Sequence, residues 1–227
     1  TYLSCGDSSV SELPTRSIDI VVTDPPFFDN VHYSELADFF YAWQCLVPRG
    51  FINKKGTTRS TDEVQDSDPV DFAKKLQVVF QECNRVLKDD GLLVFTYHHS
   101  RGEGWRSVAK AIFNAGFSVI NTHPVKSEMS GATPKSQASE PIQLDIIIVC
   151  RKSGIQTKKQ THKDALDKAQ EKIGRLESSG FLLSKNDKKV IMFGQLLVSL
   201  QTTKDVVLLS DFVEQEITGV IPLPLGI

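Results

Sequence analysis

Ser17-Ile18-Asp19-Ile20-Val21-Val22-Thr23-Asp24-Pro25-Pro26-Phe27 is the stretch on which the reading of this chain turns. Residues 18–23 are short, β-branched and almost free of polar groups, which predicts a buried strand. The two prolines that follow lack N–H groups and fix φ, so the ladder cannot continue and the chain must leave the sheet at Asp24. In an open α/β sheet, ligands bind outside the carboxyl ends of the strands. Asp24 puts an acceptor at that edge. The carbonyls around Pro25 and Pro26 add rigid acceptors with no sheet partner, and Phe27 adds a flat ring. That set suits a planar molecule with an exocyclic amine, such as a base turned out of its stack. The competing reading is a strand-ending turn without chemistry.

The order of elements around this stretch is that of an α/β protein. Residues 70–87 predict a helix with Phe72, Leu76, Val79, Phe80, Cys83 and Leu87 on one face. Lys88-Asp89-Asp90-Gly91 is expected to stop it, ahead of a buried strand over 92–97. A helix over 105–115, with Trp105, Val108, Ala109 and Ile112 inward, leads to a strand over about 117–125. A second apolar strand covers 144–150. No helix separates these last two, so they are expected to be antiparallel neighbours. His98 and His99 follow a strand end and face opposite ways, which makes them poor joint metal ligands; no metal site is expected.

An apolar strand followed by Asp-Pro-Pro-Phe resembles the catalytic motif of S-adenosylmethionine-dependent amino-methyltransferases, which act on the exocyclic amine of adenine or cytosine. The run from Phe28 through Asp29, Asn30, Val31, His32, Tyr33, Ser34 and Glu35 to Trp43 is similar to a subgroup of adenine-specific DNA methylases. The four-residue motif alone also resembles RNA and protein-glutamine methyltransferases. The resemblance implies that Asp24, Pro25, Pro26 and Phe27 are catalytic and that S-adenosylmethionine is the cofactor, with Asp24 beside it. It also makes DNA the partner, with RNA as an alternative. Gly6-Asp7-Ser8-Ser9 resembles the loop whose polar residue reaches the adenine end of the cofactor, which assigns Asp7; an ordinary turn is the alternative. Phe27, Asn30, His32 and Tyr33 are the candidates for substrate contact. The implied fold is a partial Rossmann-like class I methyltransferase core, a mostly parallel sheet with a C-terminal antiparallel hairpin, over residues 1–152. A basic linker and small helical module would occupy 153–227.

One part of that pattern is missing. A methyltransferase of this class has a first strand with a Gly-x-Gly loop under the cofactor, and a second strand whose acidic end takes the ribose. No strand here leads into such a loop; Arg101-Gly102-Glu103-Gly104 follows a strand, but at the wrong place in the order. The chain also does not open on Met. We therefore expect a piece of a larger enzyme, its cofactor half lying in the same longer polypeptide or in a partner chain. Alone, it should bind S-adenosylmethionine weakly or not at all. A catalytically silent nucleic-acid-binding or assembly subunit of methyltransferase shape is the reading from another class.

Ser34 is expected to cap a helix carrying Leu36, Phe39, Phe40 and Trp43 at helical spacing, most of them core. The polar stretch 51–69 reads as a loop over the site, with Lys54, Lys55 and Arg59 available to phosphates or simply solvated. Beyond Arg151 the lysines 158, 159, 163, 168 and 172, with Arg175, form a basic segment that could follow a nucleic-acid backbone or be a solvated helix face. Helices are expected over 165–176, 190–200 and 210–217.

Composition sets the outer bounds. The 227 residues are 40% hydrophobic and 24% charged, which is globular usage. No run of apolar residues is long enough for a membrane span, and no secretory leader is evident. Cys5, Cys45, Cys83 and Cys150 lack metal spacing and read as reduced cysteines of a cytoplasmic protein. A net charge of −2 does not advertise nucleic acid, so any such binding needs a local basic face.

Overall fold

The computed structural model describes residues 3, 6–28, 33–46, 56–127, 142–154, 160–200, 205–209 and 213. Its elements run β1 (Ile18–Thr23), α1 (Tyr33–Gln44), α2 (Pro69–Val86), β2 (Leu87–Tyr97), α3 (Gly102–Asn114), β3 (Phe117–Lys126), β4 (Leu144–Lys152), α4 (His162–Ser178) and α5 (Lys185–Leu197), then a short helical turn at Asp205–Leu208. The sheet order is β1-β2-β4-β3. β1 pairs parallel to β2, while β4 lies antiparallel to both β2 and β3. Three strands thus point one way, and only the last, inserted between β2 and β3, is reversed. This is the expected α/β sheet with its reversed C-terminal hairpin.

Local chemistry explains most boundaries. Asp68 caps α2, accepting from the Val70 and Asp71 N–H groups, and Pro69 fills the first helical position, where no N–H is needed. One face of α2 then buries Phe72, Leu76, Phe80 and Cys83 against the sheet. Lys88-Asp89-Asp90-Gly91 does not form the expected stop. β2 begins at Leu87 and runs through it, because Leu87 pairs with Ile18 and an irregularity between Ile18 and Ile20 takes up the register. Gly91 is needed there for closeness: a Cβ would meet the Asp19 and Lys88 carbonyl oxygens at 3.1 Å.

The core is one cluster. Trp105 on α3 stacks on Phe193 of α5 at 5.6 Å and meets Tyr97 of β2 edge-on at 5.1 Å. Val190, Ile191, Phe193, Leu196 and Leu197 of α5 join the same cluster, as do Ala165, Ala169 and Ile173 of α4. Capping boxes begin both helices, Thr161 with Asp164 and Ser184 with Asp187. α4 and α5 each start earlier than their apolar periodicity suggested. Most of the helix expected over 210–217 lies outside the described residues, as does Cys5. Cys83 and Cys150 are buried free thiols; burial pushes the Cys83 thiol up to about 11.

Two expectations about burial are corrected. β1 is an edge strand rather than a buried one, with Ile20 55% and Val22 75% exposed. On α1, Leu36, Phe39, Phe40 and Trp43 are each 60–64% exposed, so none of them is core. α1 also starts at Tyr33, placing Ser34 inside its first turn. The physical reason is shared. Burying an apolar stripe requires a facing layer, and among the described residues nothing lies beyond the free edge of β1 or over this face of α1.

Candidate active site

Asp24 stands where β1 ends, at the carboxyl edge of the parallel pair. The Thr96 hydroxyl donates to Asp24 Oδ1. Thr23 pairs with Phe95, so one step further along the two strands brings residues 24 and 96 side by side. Thr96 was not foreseen; the near-equal ends of the two strands were the only trace of it. Asp24 is exposed, Pro25 is buried and Pro26 is half-buried.

The next two residues go opposite ways. Phe27 is half-buried, its ring 4.6 Å from that of His98 and 5.6 Å, edge-on, from that of Tyr97. Phe28 turns at a φ of 57°, in the left-handed region that is costly for a bulky residue. That turn sends Phe28 into the core against Phe72 and His99, with the Arg101 guanidinium 5.7 Å from its ring. Such strain persists where surrounding packing enforces it, and functional sites are where it gathers. Here it separates the core ring of Phe28 from the half-buried ring of Phe27.

The histidines divide in the same manner. His98 is paired with Asp145 at the start of β4. His99 is buried; its carbonyl accepts from Trp105 Nε1 at 2.8 Å. Gly104 lets α3 approach this closely, since a Cβ would fall 2.8 Å from the His99 ring and the Tyr97 hydroxyl. Among the described residues no group of His, Cys, Asp and Glu is arranged to hold a metal.

A cavity of about 360 Å³ opens beside Asp-Pro-Pro-Phe, lined by Pro26, Tyr33, Ser34, Ala37, Thr58, Glu63, Val64 and Gln65. Partial burial, and then the charge of Asp24, raise the Tyr33 phenol above its usual range, so Tyr33 stays protonated beside that carboxylate. The structure thus brings Pro26 and Tyr33 to one cavity, with Asp24 near enough to act on the Tyr33 phenol, while Phe27 is not among the residues lining that cavity and packs against His98 and Tyr97. Asn30 and His32 lie outside the described residues. Sequence reasoning missed the other wall, because residues 58 and 63–65 belong to a polar stretch without periodicity.

Residues 57–59 of that stretch are tied to α1. Thr57 Oγ1 and the Thr58 N–H donate to Asp38 of α1 at 2.6 and 2.5 Å, and Thr58 Oγ1 reaches the Ser34 carbonyl at 3.1 Å. The hydroxyls of Thr57 and Thr58 hold the Asp38 carboxyl down at about 2. Arg59 is paired with Asp38 at 3.4 Å and Glu35 at 3.7 Å, so its charge is directed to α1. Lys54 and Lys55 lie outside the described residues.

Asp7 is held in a turn, with the Ser9 N–H and Oγ both donating to its Oδ1 at 2.7 Å and lowering the pKa of its carboxyl. It lines a second cavity of about 420 Å³ with Ser8, Ser9, Thr61, Asp62, Glu63, Val64 and Lys75, among others. Glu63 and Val64 are common to both cavities, which therefore adjoin. In the basic segment, Arg151 and Lys152 donate to the Asp90 and Leu87 carbonyls. Lys172 reaches the Thr122 carbonyl and, at 2.6 Å, Gln195 Oε1, while Arg175 pairs with Glu171. Lys158 and Lys159 lie outside the described residues.

Comparison with known proteins places the chain in one family. No curated protein matches it. Among solved structures it is similar to TTHA0409 from Thermus thermophilus, named as a putative DNA modification methylase, at 19% identity and a TM-score of 0.37. The likeness covers 75% of this chain and 61% of that one, so the chain spans about three fifths of that protein. The model of the DNA methylase family, the N6/N4 methyltransferases, matches residues 18–201, from the first residue of β1 to beyond α5. With the motif, its supporting strand and most of the chain inside that match, the chain belongs to the DNA methylase family.

Proposed function

We propose that this chain carries the substrate side of methyl transfer from S-adenosylmethionine to the exocyclic amine of adenine in DNA. The observation that carries the reading is Asp24, held by Thr96 at the end of β1 and next to a cavity of about 360 Å³. Thr96 occupies Asp24 Oδ1, which fixes the carboxylate and leaves Oδ2 to accept one amine proton. The Pro25 carbonyl, unable to return to the ladder, accepts the other. Between two acceptors the nitrogen lone pair points away from both, toward the incoming methyl group. Positive charge grows on nitrogen during transfer, so the contact with Asp24 is stronger in the transition state than before it. Phe27 offers its ring as a stacking surface at the rim.

S-adenosylmethionine, when bound, supplies the electrophilic methyl. The described residues offer it one wall, the Asp7 cavity adjoining the base cavity. No strand or glycine turn lies beyond β1 among them, so they do not close a cofactor site alone. The free edge of β1 and the exposed Leu36, Phe39, Phe40 and Trp43 of α1 are the surface we assign to a complementary cofactor half, in a longer polypeptide or a partner chain. Open strand edges and contiguous apolar patches are what such interfaces cover.

The test is single-turnover methylation in the assembled enzyme. Asp24→Ala should slow the chemical step by about 10²–10³, the loss expected for one preorganised polar contact. Equal rates in the two proteins would overturn the assignment of Asp24.

A further inference from the structure

Gln65 lines the same cavity as Pro26 and Tyr33, yet its side-chain nitrogen does nothing in this fold. Nε2 is sealed from solvent and has no hydrogen-bond partner among the described residues. A buried donor without an acceptor is costly, and such an orphan calls for an explanation. The terminal amide torsion of glutamine is soft, so turning the NH₂ group toward the cavity costs little.

The backbone around Gln65 is fixed. On one side Thr57 and Thr58 are bonded to α1. On the other, Asp66 pairs with Lys75 at 2.9 Å and accepts from the Asp68 N–H, and Asp68 caps α2. This amide, with its soft terminal torsion, stands on an anchored loop that lines the cavity together with Glu63, and the cavity opens beside Asp-Pro-Pro-Phe, whose Asp24 is an acceptor.

We propose that Gln65 reads the target base, donating from Nε2 to the ring nitrogen next to the exocyclic amine. This rests on the reading of the cavity as a base site and adds the residue that would select the base. An acceptor from Asp24 and a donor from Gln65 complement an amine beside an unprotonated ring nitrogen, found in adenine at N6 and N1 and in cytosine at N4 and N3. Guanine and thymine present an oxo group beside an N–H on that edge. They would set acceptor against acceptor and donor against donor. Two other donors of the wall are less free. Thr58 Oγ1 is bonded to Asp38 and Ser34, and Tyr33 lies beside the Asp24 carboxylate.

The test uses the full chain and single-stranded oligo-thymidylate carrying one central dA, dC or 1-deaza-dA, so that backbone contacts are constant. Wild type should bind the dA or the dC strand about tenfold tighter than all-thymidine, the value of one good hydrogen bond near 1.4 kcal/mol. A preference for dA over dC names adenine, and the reverse names cytosine. The 1-deaza strand, with C–H in place of N1, should lose most of the dA preference. Gln65→Leu and Gln65→Glu should each lose it on dA and lose nothing further on the 1-deaza strand. Because Nε2 is unpaired in the fold, Gln65→Leu should also melt no lower than wild type. Gln65 variants that keep the full adenine preference, or losses that add to the 1-deaza loss, overturn the role of Gln65 while leaving the base site standing. Wild type that binds all strands alike overturns both.

Discussion

Phe193→Ala is the sharpest test of how the C-terminal helices belong to the rest. Phe193 is fully buried and stacks on Trp105, which in turn meets Tyr97 and donates to the His99 carbonyl. Removing such a ring costs about 3–5 kcal/mol, from lost transfer energy and the cavity left behind. That is a large part of a domain stability of about 5–15 kcal/mol. With a urea m-value of about 2–3 kcal/mol/M, the unfolding midpoint should fall by about 1–2.5 M. Unfolding would be followed by far-UV circular dichroism and by tryptophan fluorescence in a Trp43→Phe background, leaving Trp105 as reporter. If α5 and the sheet share one core, both signals shift together in a single transition. A biphasic dichroism curve whose sheet phase keeps the wild-type midpoint would refute the reasoning and support residues 153–227 as a module of their own.

Other expectations follow from single contacts. Phe27→Tyr should be tolerated, whereas Phe27→Ala should weaken substrate capture by about 1–3 kcal/mol, the worth of one base–aromatic stack, with less effect on cofactor binding; unfolding of the variant with unchanged affinity per folded molecule would make Phe27 a core residue. Asp38 has its folded pKa depressed to about 2 by Thr57 and Thr58, so the tether between this loop and α1 is fully present above the ordinary carboxyl value of 3.8 and is lost as pH falls through about 2. Hydrogen exchange at the Thr58 amide, read between pH 5 and about pH 2, should show protection giving way only in that window. If Lys158, Lys159 and Lys163 track phosphates, reversing all three to Glu should weaken DNA binding for every sequence alike and flatten the salt slope by up to about three units, at about 0.9 per phosphate contact; an unchanged slope would assign the segment to structure, as a solvated helix beside the core.

Much of the architecture was written in local pattern. The β-branched run before Asp-Pro-Pro-Phe, the stripe from Phe72 to Cys83 and the two apolar strands without an intervening helix each announce an element. A strand that must stop at Asp24 also announces an edge where ligands gather. These signals are legible because periodicity, proline and capping act within a few residues of one another. What no local pattern could decide is which apolar face meets a partner. Ile20, Val22, Phe39 and Trp43 read as core from composition, yet they stand exposed because burial depends on a second layer. The cavity beside Pro26 was hidden for a related reason. Asp24 and Thr96 are far apart in the chain and meet only through the pairing of β1 with β2, and Pro26, Tyr33 and Gln65 share one cavity only once residues 57–59 are tethered to α1. Element type follows from short-range sterics and hydrogen bonding along the chain. Burial and site assembly follow from contacts between distant segments, which the tertiary structure alone decides.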